Sequence, residues 1–316
     1  MPSLQSRFFI SVIRNRHWLR FHRQRDAWDW NTSIPDFRQQ CEAGARRMKL
    51  PDGVEVSPVT IEGVTGVQNR QAEWLIPHGA PKDKVILYTV GGGYVSGSCS
   101  DHRALVAKIT KGSGVTTLLF DHRLAPEEPF PAALDDTVTV YRWLLTQGVS
   151  PSNIVIVGDS AGGGLCLATL LALRDQNIPL PAAAVALSPW TDLALTGESY
   201  RTKLNASIDP PGMSVVCSKY YVGENEPRHS LISPLYGDLH GLPPLFICVG
   251  THETMLDDST HFAEKAKAAG VDVTLRVWEG MVHCFPLMAP LFPEATRALD
   301  EICAFIRTGC EISKSQ

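Results

Sequence analysis

No apolar run in the 316-residue chain approaches the roughly 18 residues that a membrane-spanning helix needs. The apolar run over residues 8–13 is short, and Arg14, Arg16 and Arg20 follow it at once. No small-residue cleavage site comes after, so a secretory signal is not expected. Charge of one sign is also missing. The net charge is −4 with no long block of either sign, which gives the whole chain no footprint for nucleic acid or for an anionic membrane. None of the eight cysteines (41, 99, 166, 217, 248, 284, 303 and 310) stands in a C-x-x-C pair. That spacing reads as reduced, mostly buried thiols in a reducing, cytoplasmic setting. Internal repeats and low-complexity segments are absent as well.

What is present is an ordinary globular composition, 44% hydrophobic and 20% charged, long enough to bury a large core. Residues 1–50 are basic and aromatic, with Phe8, Phe9, Trp18, Phe21, Trp28, Trp30 and Phe37. They read as amphipathic helices packed on the main domain or as a lid over a site, with a membrane-surface helix as a third option. Residues 53–77 alternate as antiparallel strands at a sheet edge. Buried strands then follow at 84–90, 115–120 and 154–157, and further strands at 182–187, 245–249 and 273–278. Helical patterns lie between or after them at 101–110 (capped by Ser100 or Asp101), 132–147, 261–269 and 293–306. This alternation predicts an α/β fold, a mostly parallel sheet with helices on both faces. Residues 196–240 break the rhythm and mark an insertion, so the expected layout is a cap over 1–50, a main domain over 51–316 and a cap insertion at about 196–235.

The chemistry gathers around residues 154–164. Four β-branched residues lead into Gly158-Asp159-Ser160-Ala161-Gly162, and leucines at helical spacing follow. A G-x-S-x-G between a strand and a helix lifts its serine above the sheet as a nucleophile. Such a serine needs a base, and the base needs an orienting acid. In an open α/β sheet both partners are expected at the carboxyl ends of later strands. The strand ending near Val249 delivers His252, Glu253, Asp257 and Asp258, and the strand ending at Trp278 delivers His283. His283 suits the base best, with His252 and His122 as rivals. Glu253 is favoured as the acid because Asp257, the alternative, falls where a helix should start and has a capping task there. Donors for an oxyanion are expected from the backbone of Ala161, Gly92 and Gly93.

These blocks together resemble the hormone-sensitive-lipase-like branch of the α/β-hydrolases. Residues 158–163 look like its G-D-S-A-G-G block. Residues 123–127 and 130–133 look like its R-L-A-P-E and F-P-A-A segments, and 188–192 and 250–258 are similar to further family blocks. The resemblance implies an α/β-hydrolase fold with a helical cap and a serine carboxylesterase for short- to medium-chain esters. It implies Ser160 as nucleophile, His283 as base, Glu253 as acid and Gly92, Gly93 and Ala161 as the oxyanion hole. It implies neither metal nor organic cofactor, a small ester as the partner molecule, a homodimer through the last strand and helix, and Arg123 and Glu127 as structural ties. Lactone or amide hydrolysis, or ligand binding without catalysis, are the alternatives. One position departs from the pattern: the family's H-G-G-G begins here with Val90. If bracing of that loop limits the rate, Val90→His is expected to hold or raise turnover.

Overall fold

The computed structural model describes residues 2–15, 27–61 and 71–310. Trp18 and Phe21 of the basic, aromatic N-terminal segment lie outside the described residues. Eight strands form one sheet in the order β1 (Val54–Pro58), β2 (Ala72–Pro77), β4 (Thr116–Phe120), β3 (Val85–Thr89), β5 (Ile154–Asp159), β6 (Ala183–Leu187), β7 (Leu245–Gly250) and β8 (Val273–Trp278). β2 runs antiparallel to both of its neighbours, β1 and β4; every pair from β4 to β8 is parallel. The continuous apolar run of β5 fits its central place. It is buried along its whole length and pairs with β3 and β6, with Leu87 beside Ile156 and Ile156 beside Ala184.

Alternation along the strands divides the core in two. Leu87, Leu118, Ile156, Ala186 and Ile247 face α4 (Ala132–Thr146), α5 (Ala161–Asp175) and α8 (Leu256–Ala268). Ile86, Tyr88, Leu119, Val157, Val185 and Phe246 face α3 (Cys99–Ser113) and α9 (Pro293–Gly309). Among the described residues two further helices, α1 (Leu4–Arg14) and α2 (Ile34–Ala45), precede the sheet. The irregular stretch after β6 carries α6 (Ser199–Thr202) and α7 (Met213–Val222).

Two helices start earlier than their sequence patterns indicated. For α3 the cap is Ser98 rather than Ser100 or Asp101. Its hydroxyl accepts from Asp101 N, and the Asp101 carboxylate accepts from Ser98 N, a reciprocal box that satisfies two end donors. For α8 the first residue is Leu256, five before the expected start, with Asp257 and Asp258 in the first turn where the helix dipole favours them. Parallel right-handed crossovers leave the carboxyl ends of β3, β5, β6, β7 and β8 on one side of the sheet. The eight cysteines are all free thiols.

Candidate active site

The turn between β5 and α5 places Ser160 in a conformation that side chains rarely take, with φ 55° and ψ −124°. Such backbone costs on the order of 1–3 kcal/mol and persists only where the surroundings impose it. Here they do. Ser160 N donates to Leu187 O at 2.8 Å, and Ser160 O accepts from Gly164 N and Trp190 N. The flanking glycines are required by close approach. A Cβ on Gly158 would lie 2.3 Å from Gly162 O, and one on Gly162 would lie 2.1 Å from Thr89 O.

The loops after β7 and β8 meet beside this turn. Glu253 is fully buried, and its Oε2 lies 2.8 Å from His283 Nδ1. Its other oxygen, Oε1, accepts from Gly250 N at 2.6 Å and from Ser188 Oγ at 2.9 Å. Ser188 Oγ in turn accepts from Cys284 N, so one hydroxyl at the end of β6 joins both loops. Burial disfavours the imidazolium of His283. Its neighbours, the Cys284 sulfur, Asp209 and the bonded Glu253, outweigh that and hold its pKa well above the usual imidazole value. The Cys284 thiol is itself pushed up to about 11 by burial, against the opposing pull of His283. His283 Nε2 faces Cys284 Sγ at 3.6 Å, and among the described residues no hydrogen bond joins it to Ser160 Oγ. In substrate-free enzymes this bond is often long and tightens on binding.

The rival residues sit elsewhere. Asp257 Oδ2 accepts from Ser199 N and Asp257 N donates to Ser199 Oγ, which ties α8 to α6. His122 is buried with Nδ1 2.9 Å from Arg123 O, and burial lowers its pKa. His252 lines a separate recess with Arg7, Arg14 and Glu279. Arg123 and Glu127 form ion pairs, with Asp136 and with Arg38 of α2.

Facing the serine is the loop of Gly92 and Gly93. Among the described residues nothing accepts from the N–H groups of Gly92, Gly93 or Ala161. A Cβ on Gly92, whose φ is 118°, would meet Ser96 O at 2.4 Å. Behind this loop lies a polar cluster that the sequence did not disclose. Asp159 Oδ1 accepts from Gly91 N at 3.2 Å and from Tyr88 OH at 2.9 Å. Its Oδ2 lies 3.7 Å from His102 Nε2, while His102 Nδ1 contacts Asp101. Burial opposes a charge on His102, but Asp159 and Asp101 prevail and raise its pKa to about 10. Val90 is buried among apolar side chains, next to its loop but outside this cluster. His102 carries no motif of its own; its only sequence signal is a polar residue inside the first turn of a helix.

Ser160, His283, Gly92 and Gly93 line one cavity of about 590 Å³. Its walls are mostly apolar and include the thioethers of Met48, Met213, Met255 and Met288. Met48 and Lys49 follow α2, whereas Asp209, Met213, Ser214 and Cys217 come from the irregular stretch after β6.

A strained serine at a strand–helix turn, a buried glutamate on a histidine and an apolar cleft over the carboxyl edge of a mainly parallel sheet define a hydrolase site. Residues 86–287 match a family model described as alpha/beta hydrolase fold, and the chain belongs to that family. An acetyl-hydrolase of Streptomyces hygroscopicus is 43% identical over 249 residues, 78% of this chain and 82% of the relative. A crystal structure of an esterase from the bacterial hormone-sensitive lipase family superposes with a TM-score of 0.87 at 40% identity, covering 98% of this chain and 99% of that one. The structure of EstE5 soaked with p-nitrophenyl butyrate gives the same TM-score at 38% identity, with the same coverage. The protein is a carboxylic ester hydrolase of the hormone-sensitive-lipase-like branch.

Proposed function

We propose that the protein is a serine carboxylesterase acting on short- to medium-chain esters through an acyl-enzyme. The observation that carries this is the strained Ser160 in the same apolar cavity as His283, whose Nδ1 is held by the buried Glu253. Ser160 Oγ attacks the acyl carbon as its proton passes to His283 Nε2. The developing oxyanion takes hydrogen bonds from Gly92, Gly93 and Ala161 N–H. Collapse breaks the C–O bond, and the alcohol leaves with the proton from His283. Water then repeats the sequence on the acyl-enzyme and releases the acid. Glu253 fixes the imidazole tautomer and stabilises its charged form without taking the proton.

The cavity suits a single modest acyl chain, and its lining by residues after α2 and from the stretch after β6 supports reading both segments as the cap. The alcohol side is left to the mouth of the cleft. The free cysteines fit a reducing, cytoplasmic setting. The test is turnover of p-nitrophenyl acetate, butyrate, octanoate and palmitate, with Ser160→Ala as control and fluorophosphonate labelling read by mass spectrometry. Butyrate or octanoate is expected to give the highest kcat/KM and the label is expected on Ser160. A label on another residue, or wild-type turnover by Ser160→Ala, overturns the assignment.

A further inference from the structure

The whole-chain charge of −4 conceals a local asymmetry. Residues 1–25 hold six arginines and no aspartate or glutamate; the first acid is Asp26. Within this segment one face of α1 is committed to the hydrolase domain. Ser6 and Ile10 are buried, Ser3 donates to Glu294 at the start of α9, and Gln5 Nε2 donates to Leu291 O at 3.1 Å. The other face presents Leu4, Phe8 and Val12, one helical turn apart, with 81%, 66% and 41% of their surface open to water. Arg7 is exposed beside them. A helix docked on a globular domain ordinarily turns polar residues outward, so among the described residues this stripe lacks a partner. It also lies beside the reaction site, because Leu291, itself exposed, belongs to the lining of the catalytic cavity.

Size and charge select the occupant. Three such side chains offer on the order of 300 Å² of apolar surface, well below the roughly 800 Å² per partner of a stable protein interface. An anionic lipid surface needs no such area and matches the charge, since basic amphipathic helices bind it through a shallow apolar face and flanking arginines. We propose that α1 docks the protein peripherally on anionic lipid, with Leu4, Phe8 and Val12 at the acyl boundary and Arg7 at the phosphates. The mouth of the cavity at Leu291 then lies next to the membrane, where apolar esters collect. This docking is independent of the identity of the nucleophile.

Vesicle flotation tests it with the full chain, using phosphatidylcholine alone and phosphatidylcholine mixed with phosphatidylglycerol. The protein is expected to float with the anionic vesicles only, and molar salt is expected to release most of it. Phe8→Glu should lower the bound fraction about tenfold, while Phe8→Leu keeps it. Both variants should hydrolyse a soluble acetyl ester at the wild-type rate, which shows that they are folded. Absence of binding to anionic vesicles, equal binding to neutral ones, or undiminished binding of Phe8→Glu overturns the proposal. A dimer in light scattering that Phe8→Glu dissolves, without vesicle binding, overturns it as well and assigns the stripe to a second copy.

Discussion

At the residue scale the two candidate acids separate cleanly. Glu253 meets His283, whereas Asp257 holds the backbone of α6. Glu253→Gln keeps the volume but removes the charge that opposes an imidazolium, so kcat should fall by about 10³–10⁴-fold. Asp257→Asn should change kcat by less than about tenfold, and steady-state kinetics on a soluble ester compares the two. The sequence supported this ranking through distance from the strand and the capping task of helix-start aspartates. It did not disclose Ser188, because that hydroxyl bonds the loops after β7 and β8 only once β6 stands beside β7. His283 carries a second prediction. As the proposed base, His283 must be neutral to accept a proton, so activity is expected to rise as pH passes upward through its pKa. With that pKa held above the ordinary value, the acidic limb of kcat/KM is expected to fall above pH ~6.5. A pH–rate profile whose acidic midpoint lies well below that value would contradict the environment described for the imidazole.

At the scale of elements, the succession of strands and helices and the βα turns were readable because buried parallel strands have few alternative sequences, whereas the order of the strands across the sheet was not. Helix starts were less so. The cap of α3 is a serine whose partner sits three residues on, and the apolar pattern begins only after both. The loop opposite Ser160 was legible as glycines but not in its support. His102 on α3 and Asp159 on β5 come from different elements, 57 residues apart, and no local pattern marks such a pair. Their charge pairing, with Asp159 accepting from Gly91 N, holds the glycine loop opposite Ser160. His102→Gln is therefore expected to lower kcat by about 10–100-fold with KM within a factor of three and native circular dichroism. A rise in KM alone would show that the cluster acts on binding. Bracing from His102 also removes the condition under which Val90→His was expected to help. A second imidazole placed among buried apolar side chains should cost about 1–3 kcal/mol of stability and give no gain in kcat.

Across the whole molecule, Asp258 links the fold to pH. Burial, and then the nearby Asp192, raises its pKa to about 8, while its carboxylate accepts from Thr191 N and Asp192 N. An unfolded chain releases this proton near pH 4, whereas the folded chain keeps it to about pH 8. The stability this group contributes is thus full below about pH 4 and declines as pH rises through that window. Asp258→Asn mimics the protonated form and should flatten the decline. Urea unfolding at pH 5 and pH 8 measures it, and a variant as pH-sensitive as wild type would refute the assignment. The overall architecture was the most legible level of all, since strand–helix alternation follows from hydrophobic period alone. The outward face of α1 was the least, because Leu4, Phe8 and Val12 share a helical spacing with ordinary core residues and only burial distinguishes them.

Four of the six methionines stand around one cleft. Thioethers are soft and easily repacked, which gives this cleft adaptable walls. Met48, Met213 and Met288 keep part of their surface open to water, and each sulfoxide formed there would turn a patch of apolar wall into a hydrogen-bond acceptor. Oxidation is then expected to change which esters the cleft accepts before it alters the groups around Ser160 and His283.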